Sequence, residues 1–531
     1  MSITAVSPAI EAPTQEAPAR QYISYLIFTL CSSLYLLPFM RLLLQGTDEG
    51  TLVYGAVRVV HGEVFARDFF EVMGPGTFYW LATFFKLFGV TFMGVRICLF
   101  LTSLGTGLLM YFLSRKVCRR YHTLPCVLLA GTYFGVLWPA ISHHVDSNFF
   151  ALASVACIVV WQDTRKHILL IAAGVLTGAT TSFHQSKGML LLVSILLWLW
   201  IQRRRRATSI SGLGLVVGGY CSVAGVVLAY FWSRGALWDL VYVNLVYPFR
   251  HYGAVNVVPY AQGIIHNYWD HWVIAKSGLN WTVAMAAVLI TPFLFVGALP
   301  GLLPILGVRH RRTAVRPEVV LYWLCGWALW FSEIHRKDIF HLVFGSPLLI
   351  ILCIFYLEYL EEFREKIAKF ALQILTITAT CLVVFNLFLV LSARPTATRV
   401  GSIAVFKSEA VLALLDQKVA PGEEIFAYPY CPMYYFLSAT TNPTRYSFLM
   451  YNYNTASQFE EVIRVLEQRR VRYVVWNTSF EDIATATFFP AAKRVSADSL
   501  IIEPYLESHY KLVWADAGTR IMERKSGDHA D

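Results

Sequence analysis

Charge is what this sequence has least of. Of its 531 residues only 15% are Asp, Glu, Lys or Arg, while 56% are hydrophobic; soluble proteins carry about 25% charge. That balance excludes an ordinary soluble globular protein and indicates an integral membrane chain. The ten cysteines lie almost wholly within or beside apolar runs, only Cys431 sits in a polar region, and no CxxC occurs, so neither a zinc knot nor a disulfide framework is indicated. No glycine loop for nucleotide phosphates is present: Gly212-Leu213-Gly214 lies inside an apolar run, where helix packing accounts for it. The formal net charge is +10, but the Lys and Arg fall in short clusters between apolar runs, a pattern that reports orientation in a bilayer rather than a nucleic-acid partner. Residues 1–21 lack a basic n-region and read as a disordered cytoplasmic tail before an uncleaved first span.

What is present is a series of apolar runs. Crossing the hydrocarbon takes about 20 apolar residues, and about eleven candidates occur, roughly 22–44, 92–114, 124–141, 147–162, 167–183, 188–202, 210–232, 281–308, 317–332, 342–358 and 370–392. Alternate connections carry the basic clusters: Arg115, Lys116, Arg119 and Arg120; Arg165 and Lys166; Arg203 to Arg206; Arg309, Arg311, Arg312 and Arg316; Arg364, Lys366 and Lys369. By the positive-inside rule these face the cytoplasm. The other connections then face outward, and so does everything after 393.

The first outward loop, 45–91, is where carboxylates follow an apolar run, a costly place for charge that has no task. Asp48 and Glu49 open it, Asp68 follows, and Met73-Gly74-Pro75-Gly76 leads into the aromatic run Thr77 to Gly89. Two short interfacial helices, about 48–60 and 76–88, are expected, stopped by Gly62 and Gly89. After Arg394-Pro395, alternating stretches at 424–428 and 472–476 read as strands and 459–469 as a helix. Residues 394–531 are therefore expected to form a small extramembrane α/β domain after a transmembrane domain over 22–393.

Each polar cluster has a plain reading beside a functional one. Asp48 and Glu49 suit the first turn of a helix, where acidic residues complement the dipole; a carboxylate at the bilayer surface can equally take a proton from an acceptor hydroxyl or amine, with positioning supplying much of the effect. Asp68 is either a helix cap or a polar group of the site. Glu333-Ile334-His335-Arg336-Lys337-Asp338-Ile339-Phe340-His341 places cations on an outward turn, for headgroup anchoring or for a phosphate leaving group. Phe183-His184-Gln185-Ser186-Lys187 offers Gln185 and Lys187 to sugar hydroxyls or phosphate. His143, His144 and Asp146 make either a metal-compatible triplet or a polar lining. The aromatic loop 233–280, Tyr247 and Tyr252 included, suits sugar stacking and an interfacial belt alike.

One set of residues is more specific. An apolar first span, Asp48-Glu49, the run Gly62-Glu63-Val64-Phe65-Ala66-Arg67-Asp68-Phe69, Gly74-Pro75-Gly76 before Phe78-Tyr79-Trp80-Leu81, then Phe88-Gly89 and Val95-Arg96 opening the second span together resemble the glycosyltransferase C superfamily. These are polytopic enzymes that use lipid-phosphate sugars, and the branch of protein O-mannosyltransferases and lipid A aminoarabinose transferases is nearest. The resemblance covers roughly 22–120. It implies a polytopic α-helical membrane glycosyltransferase of the inner membrane, N-terminus cytoplasmic, that moves one sugar from a polyprenyl phosphate to a lipid, glycan or protein acceptor on the outer face with inversion. Asp48 would be the catalytic base and Glu49 its helper; Arg336, Lys337, His341 and Lys187 would hold the donor phosphate; Asp68, His143, His144, Asp146 and Gln185 would contact sugar or acceptor. Met73 stands where relatives place the Lys or His of a Lys-Pro or His-Pro pair, which sets aside a polar role there. Members of this architecture work with and without a divalent cation, so none is assigned. A lipid or sugar transporter or flippase, and a polysaccharide polymerase or ligase, remain as alternatives. A transporter would carry charges in mid-span or paired broken helices, neither of which is seen.

Overall fold

The computed structural model describes residues 18–44, 46–132, 139–204, 210–258, 316–333, 336, 339–361, 364–406, 410–478, 489, 495–516 and 518–526. The expected span 281–308 and Lys337 lie outside the described residues.

Helix α1, Pro18–Leu36, runs into a tight turn over Leu37–Arg41. The first loop then forms α2, Asp48–Val60, and α3, Gly76–Phe88, the two short helices its pattern predicts. Gly62 and Gly89 both adopt positive φ, 93° and 83°, just after these helices, where glycine alone is unstrained. The bundle continues with α4 (Phe92–Val117), α5 (Leu124–Thr132), α6 (His143–Thr164), α7 (Ile168–Phe183), α8 (Gln185–Arg204), α9 (Ile210–Ser233), α10 (Leu237–Val241), α11 (Pro317–Phe331), α12 (Ile339–Phe344), α13 (Pro347–Glu361) and α14 (Glu365–Leu391).

Among the described residues six helices are long and apolar enough to cross a membrane, and α7 is a shorter apolar one. The chain is thus a polytopic α-helical membrane protein; eleven spans exceed what the described residues display. The helices divide by exposure. The apolar stretch of α6 is 72% buried and lies at the centre, whereas those of α1, α9 and α14 are 11%, 17% and 22% buried. Their outward side chains, among them Leu26, Val226, Phe370 and Ile377, make an apolar surface suited to lipid.

Among the described residues, basic side chains of the connections after α4 and before α11 gather at one end. Lys116 pairs with Asp163 at 2.6 Å, Arg120 with Glu361 at 3.5 Å, Glu358 accepts from the backbone of Arg119, Arg120 and Tyr121, and Arg316 reaches the carbonyl of Val117. The first loop, the start of α6 and the α7–α8 junction lie at the other end, beside the C-terminal domain. This segregation is the one the spacing of apolar and basic stretches predicts.

The C-terminal region begins with a hairpin, β1 (Arg394–Thr398) against β2 (Gly401–Val405). Next come α15 (Ala410–Lys418), β3 (Ile425–Tyr428), α16 (Met433–Leu437), α17 (Ala456–Arg469), β4 (Tyr473–Asn477), α18 (Ile502–His509), β5 (Tyr510–Ala515) and β6 (Thr519–Arg524). The four-stranded sheet has the order β3-β4-β6-β5, parallel between β3 and β4 and antiparallel elsewhere. A parallel pair needs a crossover, and α17 lies in that connection; Gln458 accepts from the backbone N–H of Thr455 at 3.0 Å to fix its start.

This domain is fastened to the first loop. The N–H of Leu43 donates to Ala404 and that of Phe92 to Val400, each at 2.9 Å; Arg58 reaches Thr444 O at 3.0 Å; and Arg445 reaches Ala66 O at 2.8 Å. Gly50 makes the seam tight. A Cβ there would stand 2.5 Å from Met433 N, so only glycine lets α2 approach that backbone.

Candidate active site

Asp48 and Glu49 both open α2, but successive residues of a helix point about 100° apart, and the two carboxylates part accordingly. Glu49 turns into the bundle and is fully buried. Arg96 grips it through two nitrogens, one at 3.0 Å from Oε2, and also donates to Leu42 O at 2.6 Å. The N–H of Ile141 reaches Glu49 Oε1 at 3.0 Å. Glu49 therefore ties α2 to α4 and to the approach to α6.

Asp48 is half-buried and faces the C-terminal domain. Its Oδ1 accepts a hydrogen bond from the phenol of Tyr430, in the loop between β3 and α16. Burial first, then the charge of Asp48, hold the Tyr430 phenol well above the usual tyrosine range, so it stays protonated and donates. Tyr430 belongs to an aromatic wall: its ring is 4.5 Å from Phe448, Phe448 is 4.7 Å from Tyr453, and Tyr453 is 4.9 Å from Tyr252. Tyr252 feels the charges of both Asp48 and Arg336, so this wall connects the two. Arg336 is half-buried; it donates to Asn256 Oδ1 at 2.6 Å and lies 5.0 Å from the Phe489 ring centre.

Glu71 was not singled out by its pattern. It is 1% exposed, with Ser447 beside it as a hydrogen-bonding group, and it lies near Tyr430 and Tyr453. Burial pushes its carboxyl up to about 8, so at neutral pH it holds its proton. Its one visible signal is an acid between Phe70 and Val72 in an otherwise apolar stretch.

The Gly74-Pro75-Gly76 hinge lies against the end of α7. A Cβ on Gly74 would stand 2.3 Å from Ser182 O, which accounts for glycine at that close approach. The hinge thus carries the first loop to the α7–α8 junction, where a second polar cluster sits. Glu333, fully buried after α11, meets Lys187 at 2.9 Å and His144 Nδ1 at 3.0 Å through Oε1, and lies 3.7 Å from His184 Nε2 through Oε2. Lys187 also donates to Asn148 Oδ1 at 3.0 Å.

The remaining expected site residues are dispersed. His143 joins the second cluster, its ring 3.9 Å from His144 and 5.5 Å from His184, and His341 lies 4.9 Å from His144. Asp146 does not join these histidines. It turns toward Thr77 and Cys98 and is fully buried. Gln185 donates to Asn244. Asp68 accepts from Val64 N at 2.7 Å and pairs with Arg67 at 2.8 Å, and the Arg67 guanidinium holds its carboxyl below the usual range. It braces the loop instead of facing Asp48's partners.

Comparison with known proteins agrees with this architecture. The family model for dolichyl-phosphate-mannose-protein mannosyltransferases matches residues 73–230. No curated protein sequence matches the chain. Among solved structures, ArnT from Cupriavidus metallidurans bound to undecaprenyl phosphate aligns with a TM-score of 0.55 and 12% identity over 96% of this chain and 99% of that one. The archaeal oligosaccharyltransferase AglB from Archaeoglobus fulgidus, in complex with an inhibitory peptide and a dolichol-phosphate, aligns with a TM-score of 0.51 and 12% identity over 97% of this chain and 75% of that one. The family model thus covers under half of the 531 residues, and the likeness to both solved structures, at 12% identity, is one of fold.

Proposed function

We propose that this protein transfers a single sugar from a polyprenyl-phosphate donor to an acceptor at the membrane face that carries the C-terminal domain, and that Asp48 is the base. The observation that carries the reading is the position of Asp48: half-buried, oriented by Tyr430, and at the seam between bundle and domain. The structures it resembles hold undecaprenyl phosphate or a dolichol-phosphate, which supports a lipid-phosphate donor.

In the proposed step the acceptor's oxygen or nitrogen attacks the anomeric carbon and gives its proton to the Asp48 carboxylate. The bond from that carbon to the phosphate oxygen breaks, and its electron pair leaves with the lipid phosphate. A single displacement inverts the anomeric centre. Arg336 supplies positive charge to the departing phosphate, with Lys337 beside it in sequence. Lys187 is committed to Glu333 and Asn148, so the phosphate reading rests on Arg336. The aromatic wall between Asp48 and Arg336 offers ring faces to the sugar. By the positive-inside rule this face is extracytoplasmic and the protein a multi-pass inner-membrane enzyme, out of reach of nucleotide sugars.

The test is to supply membranes containing the chain with radiolabelled polyprenyl-phosphate sugars. Label moving to an acceptor with release of polyprenyl phosphate is the expected result; a donor that crosses the membrane with its sugar still attached points to a transporter instead.

A further inference from the structure

Beyond α9 the chain enters a segment that is apolar on two opposite sides. After the turn at Gly235, α10 runs on through wider turns over Tyr242–Val246 and Pro248–Tyr252, in which the N–H of Tyr247 donates to Tyr242 O and that of Gly253 to Pro248 O. Leu240, Val243 and Tyr247 are buried along one side, whereas Trp238, Tyr242, Leu245 and Phe249 are exposed along the other, Trp238 at 80% and Phe249 at 88%. Both series recur every three or four positions, the repeat of a helix face. We propose that the exposed side is a membrane-contact surface that lies in the interface of the bilayer, with phospholipid as its partner.

The inner side is already committed to the protein. Tyr247 donates its phenol to Tyr453 O and packs its ring 4.7 Å from that of Phe70. Asn244 accepts from Gln185 at the start of α8, and Asn256, at the far end, accepts from Arg336 at 2.6 Å. The segment is therefore pinned against the first loop, α8 and the C-terminal domain, with its second apolar stripe turned outward. A run of large exposed apolar side chains is uncommon on a surface that meets water and marks a contact with another apolar phase or partner.

Continuity and chemistry select phospholipid. The stripe follows directly on α9, whose Val226, Leu228 and Trp232 are exposed on the lipid-facing surface of the bundle, so the apolar surface runs from the span into the segment without a polar break longer than the turn. Trp238 and Tyr242 carry amphipathic rings, which settle at the boundary between hydrocarbon and headgroups. Arg234 and Arg250 are exposed beside the two ends of the stripe, where guanidinium groups meet lipid phosphates. An amphipathic segment of this kind lies in the interface plane and does not span. On the transferase reading, on which this sentence rests, the seated segment holds Asn256, and through it Arg336, at the depth of a lipid phosphate.

The test places a photoreactive benzoylphenylalanine singly at Trp238, at Phe249 or, for comparison, at Leu512, which is 56% exposed on the edge strand β5 of the C-terminal domain. The full-length chain is reconstituted into vesicles of phosphatidylethanolamine and phosphatidylglycerol, illuminated, and its peptides weighed by mass spectrometry. Trp238 and Phe249 are exposed, so neither replacement disturbs the packing. Phospholipid adducts at both positions, several times more frequent than at Leu512, are expected. Adducts that join either position to a peptide of this chain or of a second copy in place of lipid, or lipid adducts no more frequent than at Leu512, overturn the proposal. The readout needs no sugar transfer: lipid adducts on an inactive chain would leave the membrane contact standing, and transfer by a chain without them would leave the transferase reading standing.

Discussion

The phenol of Tyr430 donates to the carboxylate of Asp48 across 382 positions of sequence. The side chain that orients the proposed base thus comes from the C-terminal domain, so the domain belongs to the site. A hydrogen bond to a charged group contributes about 1.5–3 kcal/mol. Tyr430→Phe keeps the ring contact with Phe448 and removes the donor, so transfer should slow about ten- to hundredfold with the donor's KM little changed. Steady-state kinetics on the purified variant checks this; an unchanged kcat would show that the contact does not matter to the reaction.

The docking itself can be loosened at Gly50. Gly50→Val places a branched side chain where even a Cβ would be 2.5 Å from Met433 N. The expected result is faster proteolysis in the connection after Leu391 and loss of transfer, with the helical bundle retained by circular dichroism.

Glu49 and Arg96 make a fully buried ion pair. Removing one charge leaves the other uncompensated, which costs about 3–5 kcal/mol. Glu49→Gln should therefore lower the melting temperature in detergent markedly, whereas Asp48→Asn at the adjacent position should leave it within a degree or two.

Glu71 predicts a pH dependence of stability. Its carboxyl titrates at about 8 in the folded chain, against an ordinary value of 4.5. Between these values the folded state holds a proton that the unfolded state has released, so stability falls as pH rises, by about 1.4 kcal/mol per unit. Below the lower value and above about 8 the dependence vanishes. Glu71→Gln should flatten this window and stabilise the chain at alkaline pH, as measured by thermal denaturation between pH 5 and 9.

Much of this arrangement was legible before the fold was known, for physical reasons. The helices at 48–60 and 76–88 announce themselves by apolar runs that stop at Gly62 and Gly89, and Asp48 by being a charge just past an apolar span. The strands at 425–428 and 473–477 announce themselves by short runs of apolar and aromatic residues, though both prove buried on both faces instead of alternating. What could not be read is what depends on contact between distant segments. Tyr430 is one aromatic among 28 tyrosines until the domain docks on α2. Glu49 looks like a partner of Asp48 until the turn of the helix points it at Arg96. His143, His144 and Asp146 look like one cluster in the sequence, yet the helix turns Asp146 away toward Thr77 while the two histidines stay together and meet His184 and Glu333.

The most direct measurement of the central claim is single-turnover transfer from a radiolabelled polyprenyl-phosphate sugar, comparing wild type with Asp48→Asn under identical donor saturation. Loss of a positioned base costs about 10²–10⁴-fold in rate, and the variant should show that loss while keeping its melting temperature and its affinity for polyprenyl phosphate. Transfer by Asp48→Asn at the wild-type rate would contradict the assignment of Asp48 as the base.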